Sequence, residues 1–354
     1  MEKVSLFTEK SGHYKTEVQF PRPDFSALSN DCLGYWIGYI KNDSLIATNC
    51  LRAEPFWMKE HAGIIGGMEI KEITLPGTHD TGAYSHYKGS ESENLIVKYA
   101  VCQDEDIWNQ LVYGIRVLDI RVGYYPLTPE KFWLVHGITR WHPLEDGIQH
   151  VKNFLSQTNE IVIFDIGGFE TGFDDEIHDI LIRHLEEVFG EYLVPKDFGT
   201  SVTLNELWDM DKRLILGYGH DKGSVSPYMW EGVSQKWGNV RETLALQEYL
   251  ADVMSQSPYN YVWSSQAELT PTTEDVILDH FGGLRNMADM VNREVTAWFR
   301  DLWWKEATII NVDFFHGSDV VAVAIQSNQK KYNASKYQNF FVWIRQFIRN
   351  LSGY

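Results

Sequence analysis

The chain has 354 residues, 44% hydrophobic and 23% charged, with a formal net charge of −18. That length and apolar content fit one large domain with a small addition, or two medium domains, around a sizeable core. The negative balance excludes nucleic acid as a partner, because no basic field would draw phosphates in, and argues against long-range attraction to an anionic membrane. The cysteines are Cys32, Cys50 and Cys102. An odd, low number makes no disulfide framework, so three free thiols are expected over a Cys32–Cys50 bridge. No Cys-x-x-Cys pair offers a zinc site. No run of about 18 apolar residues is present to span a bilayer. The opening Met1–Lys10 lacks the apolar stretch of a secretion signal, so the expected location is the cytoplasm, or outside the cell if a leader has been removed.

Residues 1–62 read as a small β-rich N-terminal module or extension. Pro21 and Pro23 sit in a stretch expected to be extended. Tyr35–Ile40, the turn signal Lys41-Asn42-Asp43 and Leu45–Thr48 then predict a hairpin. Residues 63–354 change character, with short apolar runs alternating with amphipathic ones. Strands are expected at Glu72–Leu75, Ile115–Ile120, Phe132–Val135, Ile161–Ile166, Arg213–Tyr218, Tyr259–Ser264 and Ala307–Asp313. Their continuous apolar character suits parallel strands buried on both faces. Helices are expected at Leu144–Leu155, Asp174–Phe189, Arg241–Met254, Leu284–Leu302 and Ser335–Leu351. This alternation predicts an α/β fold, a distorted (β/α) TIM-like barrel, with a doubly wound open sheet as the alternative. No Gly-x-Gly-x-x-Gly follows the first strand, which weakens the nucleotide-binding version of the open sheet.

In a barrel the reactive residues gather at the C-terminal ends of the strands. Those ends carry Pro76-Gly77-Thr78-His79-Asp80, then Asp119-Ile120-Arg121, His136-Gly137, Asp165, Gln266 and Asn311-Val312-Asp313. Each has a plain structural alternative: Asp80 as a helix cap, Asp119 with Arg121 as an ion pair, Asp313 as a strand end. Together, two histidines, an arginine and several carboxylates suit cleavage of a phosphodiester by an internal nucleophile. One imidazole takes a proton and the other gives one. Carboxylates orient the imidazoles, and a guanidinium offsets charge on the phosphoryl oxygens.

Leu75-Pro76-Gly77-Thr78-His79-Asp80-Thr81-Gly82, then Arg116-Val117-Leu118-Asp119-Ile120-Arg121, then Val135-His136-Gly137, resemble the X region of phosphatidylinositol-specific phospholipase C. The likeness is greatest to its stand-alone X domain-containing proteins and bacterial enzymes, and covers about residues 65–325. It implies His79 as general base on the inositol 2-hydroxyl and Asp313 as its orienting partner. It further implies His136 as general acid with Asp80 as partner, and Arg121 on the phosphate. The implied products are a 1,2-cyclic inositol phosphate and diacylglycerol.

Calcium-dependent relatives ring their site with acidic ligands, as a six- to eight-oxygen ion requires. Here Arg121 and Gly167 stand in two of those places, so no metal and no cofactor are expected. The cationic residues that grip inositol in the bacterial enzymes correspond to Gly167 and Tyr218. Asp119, Tyr218, Trp230, Trp237 and Gln266 are therefore the candidate substrate contacts. The expected partner is a phospholipid met transiently at a membrane surface, with the chain a monomer. Two rivals stand beside this reading. One is a metal-dependent glycerophosphodiesterase or sphingomyelinase D-like enzyme, and the other is a catalytically silent lipid- or protein-binding module on the same fold.

Overall fold

The computed structural model describes residues 23–85 and 94–352. The extended stretch expected around Pro21 lies outside them, except for its end. The predicted hairpin is present: β1 (Cys32–Lys41) pairs antiparallel with β2 (Ser44–Arg52), Lys41 opposite Ser44. Asn42 and Asp43 take φ of 50° and 58°, the left-handed pair that a two-residue turn needs to match the strand twist. A disulfide joins Cys32 and Cys50, whose Cα atoms lie 5.7 Å apart, which corrects the expectation of three free thiols. The hairpin folds two cysteines 18 residues apart onto neighbouring strands, a proximity that residue spacing alone does not reveal. Cys102 stays free and buried.

The larger sheet contains β3 (Leu75–Thr78), β4 (Val117–Tyr124), β5 (Phe132–His136), β6 (Thr139–Pro143), β7 (Val162–Thr171), β8 (Leu214–Tyr218), β9 (Met229–Glu231), β10 (Ser234–Trp237), β11 (Trp263–Gln266) and β12 (Ile309–Val312). Its main path runs β10-β11-β12-β3-β4-β7-β8-β9, and every neighbouring pair on that path is parallel. Only Gly232 and Val233 separate β9 from β10. One extended segment thus pairs with β8 through its first half and with β11 through its second, bringing the ends of the sheet together. The fold is the expected α/β barrel, distorted.

Two expectations change. Phe132–His136 is no barrel strand. It runs antiparallel to β4 and forms a hairpin with β6. Its apolar run reflects packing beside the barrel, and an apolar run does not encode strand direction. The segment 229–237, absent from the expected strands, supplies the missing wall. The expected helices occur at Leu144–Gln157, Asp175–Phe189, Thr243–Ser255, Leu284–Ala297 and, longer than expected, Val320–Ser352.

Alternation along the strands divides the core in two. Leu118, Ile120, Phe164, Ile166, Leu216, Ile310 and Val312 belong to the large cluster shared with the helices. Leu75, Val117, Ile163, Ile215 and Ile309 form a second cluster with Trp57, Met58, Ile65 and Ile73. Neighbouring residues of a strand face opposite sides of the sheet, so this second set is the barrel interior, plugged from below by residues 57–73.

A buried ion pair ties the incoming segment to the barrel base. Arg116 and Glu160 are fully buried, with Arg116 Nη2 2.6 Å from Glu160 Oε2. Glu160 also accepts the backbone N–H groups of Met58 and Lys59, and Arg116 donates to the carbonyls of Glu54, Pro55, Leu111 and Ile115. A buried pair is held together by such additional bonds, and removing one partner strands the other charge. Arg116→Ala is expected to lower the unfolding free energy by about 3–5 kcal/mol in urea denaturation. The double change Arg116→Met with Glu160→Met should cost clearly less.

Candidate active site

The interior face turns polar toward the carboxyl ends of the strands. On β3 the inward series is Leu75, Gly77, His79; on β4 it is Val117, Asp119, Arg121; on β12 and beyond it is Ile309, Asn311, Asp313. Glycine is required low in this series. A Cβ on Gly77 would collide with Asn311 Oδ1, and one on Gly217 with Asp165 Oδ1.

Two consecutive residues of β3's end reach the same site, which a regular strand forbids. The departure is at Asp80, whose φ is +41°. Left-handed backbone is tolerated by aspartate better than by most residues. It is fixed here by Asp80 N donating to Asp119 Oδ2 at 3.4 Å and Thr81 N donating to the Asp119 carbonyl at 2.8 Å. His79 Nδ1 is 2.8 Å from Asp313 Oδ1, and its Nε2 is 3.3 Å from Asp80 Oδ2. His136, at the end of β5, brings its Nε2 to 3.4 Å from the same Asp80 Oδ2. Its Nδ1 lies 3.0 Å from the Ala100 carbonyl and 3.5 Å from Cys102 Sγ. The two imidazole centroids are 6.4 Å apart. Arg121 reaches the other Asp80 oxygen through Nε at 2.5 Å and Asp119 Oδ2 through Nη2 at 3.5 Å.

Residues 73–218 match the family model for the phosphatidylinositol-specific phospholipase C, X domain. This stretch is similar to a PI-PLC X domain. Over 316 residues the chain is 27% identical to human (Homo sapiens) PI-PLC X domain-containing protein 1, covering 82% of this chain and 97% of the relative. It is 25% identical to PI-PLC X domain-containing protein 3 of Danio rerio, over 77% of this chain and 92% of that one. Among solved structures, the phosphatidylinositol-specific phospholipase C of Listeria monocytogenes superposes with a TM-score of 0.60 at 18% identity, over 77% of this chain and 98% of that one. The Staphylococcus aureus enzyme gives 0.58 at 19%, over 77% and 97%. The likeness to these bacterial structures is one of fold.

The barrel brings His79, Asp80, Asp119, Arg121, His136 and Asp313 together. Gln266 lies one level lower on the inner face, opposite Asn311. Trp237 sits half-exposed at the rim, its indole N–H on Thr270 Oγ1. Tyr218 and Trp230 do not join the site. Tyr218 falls on the outward phase of β8, where its hydroxyl is hydrogen-bonded to His178 on helix Asp175–Phe189. Trp230 belongs to the apolar plug and donates to the Val194 carbonyl. The structure adds Gln235, whose amide donates to Asp119 Oδ1 at 3.1 Å and fills the space beside Gly167, and the buried Glu268 beyond β11. Neither stands in a recognisable motif. Strand alternation carried on from Gln266 would have marked Glu268.

Charge in the site is tightly balanced. Burial pulls the His79 imidazole down, but Asp80, Glu268 and Asp313 outweigh it and hold it well above the ordinary 6.5. Burial also lowers His136, and Cys102 and Asp80 lift it to about 10. Burial would raise the Asp80 carboxyl, yet His136, His79 and Arg121 bring it below its usual range. Asp165 is pushed up to about 7 and Glu268 to about 8, chiefly by burial. Among the described residues, three donor sets are compact enough for one ion: His79–Cys102–Asp313, Asp80–Cys102–His136 and His79–Asp80–Asp119. The Arg121 guanidinium already contacts both carboxylates of the last set, placing positive charge where a cation would sit.

NMR titration of the imidazoles should find both His79 and His136 charged through neutral pH. In Asp80→Asn both midpoints should fall, by about one pH unit or more, because each ring loses the same carboxylate.

Proposed function

We propose that the chain is a metal-independent phospholipase C-type phosphodiesterase that cleaves the glycerophospho-inositol bond of phosphatidylinositol-type lipids. The observation that carries this reading is the convergence of His79 and His136 on one oxygen of Asp80, with Arg121 on the other. The two imidazole centroids are 6.4 Å apart, which sets a proton acceptor and a proton donor side by side. His79, oriented by Asp313, removes the inositol 2-hydroxyl proton. The oxygen attacks phosphorus, and the bond to the diacylglycerol oxygen breaks as His136 protonates it. Arg121 stabilises charge on the phosphoryl oxygens. The products are a 1,2-cyclic inositol phosphate and diacylglycerol. The family match and the names of the relatives support this substrate class. With a net charge of −18, contact with the lipid surface is local and transient.

With detergent-dispersed phosphatidylinositol, His79→Ala and His136→Ala should each lower kcat by about 10²-fold or more. Equal headgroup release by wild type and His79→Ala would sink the two-histidine scheme. EDTA should leave the rate unchanged; full loss would favour the metal-dependent alternative. The rate profile should be a bell displaced to alkaline pH. His79 acts only when deprotonated, so activity falls as pH drops through its raised pKa. His136 acts only when protonated, so activity falls as pH rises through about 10. A profile flat from about pH 5 to 9 contradicts the mechanism.

A further inference from the structure

The interior row that holds His79 and Asp313 has a third member. Parallel pairing sets Gln266 beside Asn311 and Asn311 beside Gly77. The ladder continues past both pairs, with Ala267 N donating to the Asn311 carbonyl at 2.9 Å and His79 N donating to the Val312 carbonyl at 3.1 Å. Two residues further along each chain, the same inward face carries Glu268, Asp313 and His79. Glu268 is 3% exposed, and Gln266 and Asn311 beneath it are 1% and 2% exposed. Neither Glu268 oxygen has a hydrogen-bond partner, nor has Gln266 Oε1 or Asn311 Oδ1. Buried polar groups left unpaired are costly and call for a polar occupant.

We infer that Glu268 is a headgroup-binding residue whose carboxyl, above the amide oxygens of Gln266 and Asn311, receives the hydroxyl groups of a cyclic polyol held between the two histidines. This deepens the phosphodiesterase reading and rests on it for the identity of the polyol as an inositol. The unsatisfied atoms are oxygens, and hydroxyl groups are the donors that match them. Around Glu268 stand Asp313 from β12, His79 from β3 and Asp119 from β4, with Tyr249 on helix Thr243–Ser255. Burial among these groups pushes its carboxyl up to about 8. The row thereby supplies a grip on the ring that the missing cations at Gly167 and Tyr218 do not.

The test uses the full chain, detergent-dispersed phosphatidylinositol and free myo-inositol. Glu268→Ala should raise both KM and the myo-inositol Kd about tenfold, the loss of roughly one or two hydrogen bonds, with kcat read at each enzyme's own pH optimum because Glu268 also acts on the His79 imidazole. Glu268→Gln, which keeps a hydrogen-bonding group in place, should restore the myo-inositol Kd to within about threefold of wild type. Unchanged KM and myo-inositol affinity in Glu268→Ala overturn the inference. So does a fall in kcat alone, which would make Glu268 act only through His79. If Glu268→Ala fails to fold, Glu268→Asp withdraws the carboxyl by one methylene: a KM rise at an unchanged thermal midpoint supports the inference, and an unchanged KM overturns it. If wild type cleaves no phosphatidylinositol, the phosphodiesterase reading fails on its own, and the myo-inositol titration still decides. Tenfold weaker binding in Glu268→Ala supports the grip, and no binding by wild type overturns it.

Discussion

Asp80 is one buried carboxylate with three cationic neighbours, and the geometry around it organises the rest of the site. Its second oxygen faces the Nε2 atoms of His79 and His136, and its first faces Arg121. A lone buried carboxylate would be expelled or protonated. Here the surrounding positive charge keeps it ionised, and its charge in turn raises both imidazoles. The arrangement depends on the left-handed backbone at Asp80, which sends two successive side chains to one place. Such backbone costs about 1–3 kcal/mol and persists where its surroundings fix it; the two backbone N–H bonds to Asp119 do so.

The barrel wall supplies the remaining partners by register. Because β3 pairs with both β12 and β4, Asp313 and Asp119 flank His79 without any long-range loop. His136 arrives differently, on the antiparallel hairpin β5–β6, and is held by the Ala100 carbonyl and Cys102 from a loop. His79 is thus built into the sheet, whereas His136 is supplied from outside it. Their partners differ in kind accordingly: a second carboxylate for His79, and a carbonyl with a thiol for His136.

Much of this was legible from residues alone. The apolar runs located most barrel strands, and the order of the His79, Arg121 and His136 motifs located most of the side chains that meet at the site. The failures have physical causes. Phe132–Val135 is as apolar as a parallel strand because it is packed nearly as well, so composition could not disclose its direction. The segment 229–237 is broken by Gly232 and was invisible to periodicity. Tyr218 occupies a strand-end position but the outward phase of the alternation, which position along the chain does not reveal. Cys32 and Cys50 meet only because the hairpin register brings them together. Glu268 belongs to no motif; alternation from Gln266 marks its face, but its nearness to His79 and Asp313 follows only once the neighbouring strands are known.

The division of the barrel interior has a consequence for how such chains diverge. Leu75, Val117, Ile163, Ile215 and Ile309 with the segment 57–73 form an apolar plug, and Gln235, Gln266 and Glu268 stand outside it on the upper levels. Apolar burial stabilises the fold, whereas the unpaired buried oxygens of Gln266 and Glu268 on the polar level do not. Selection can therefore exchange upper-level side chains one at a time while the scaffold stays intact. The side chains that would decide what the barrel accepts can thus change without touching the apolar plug that holds it together.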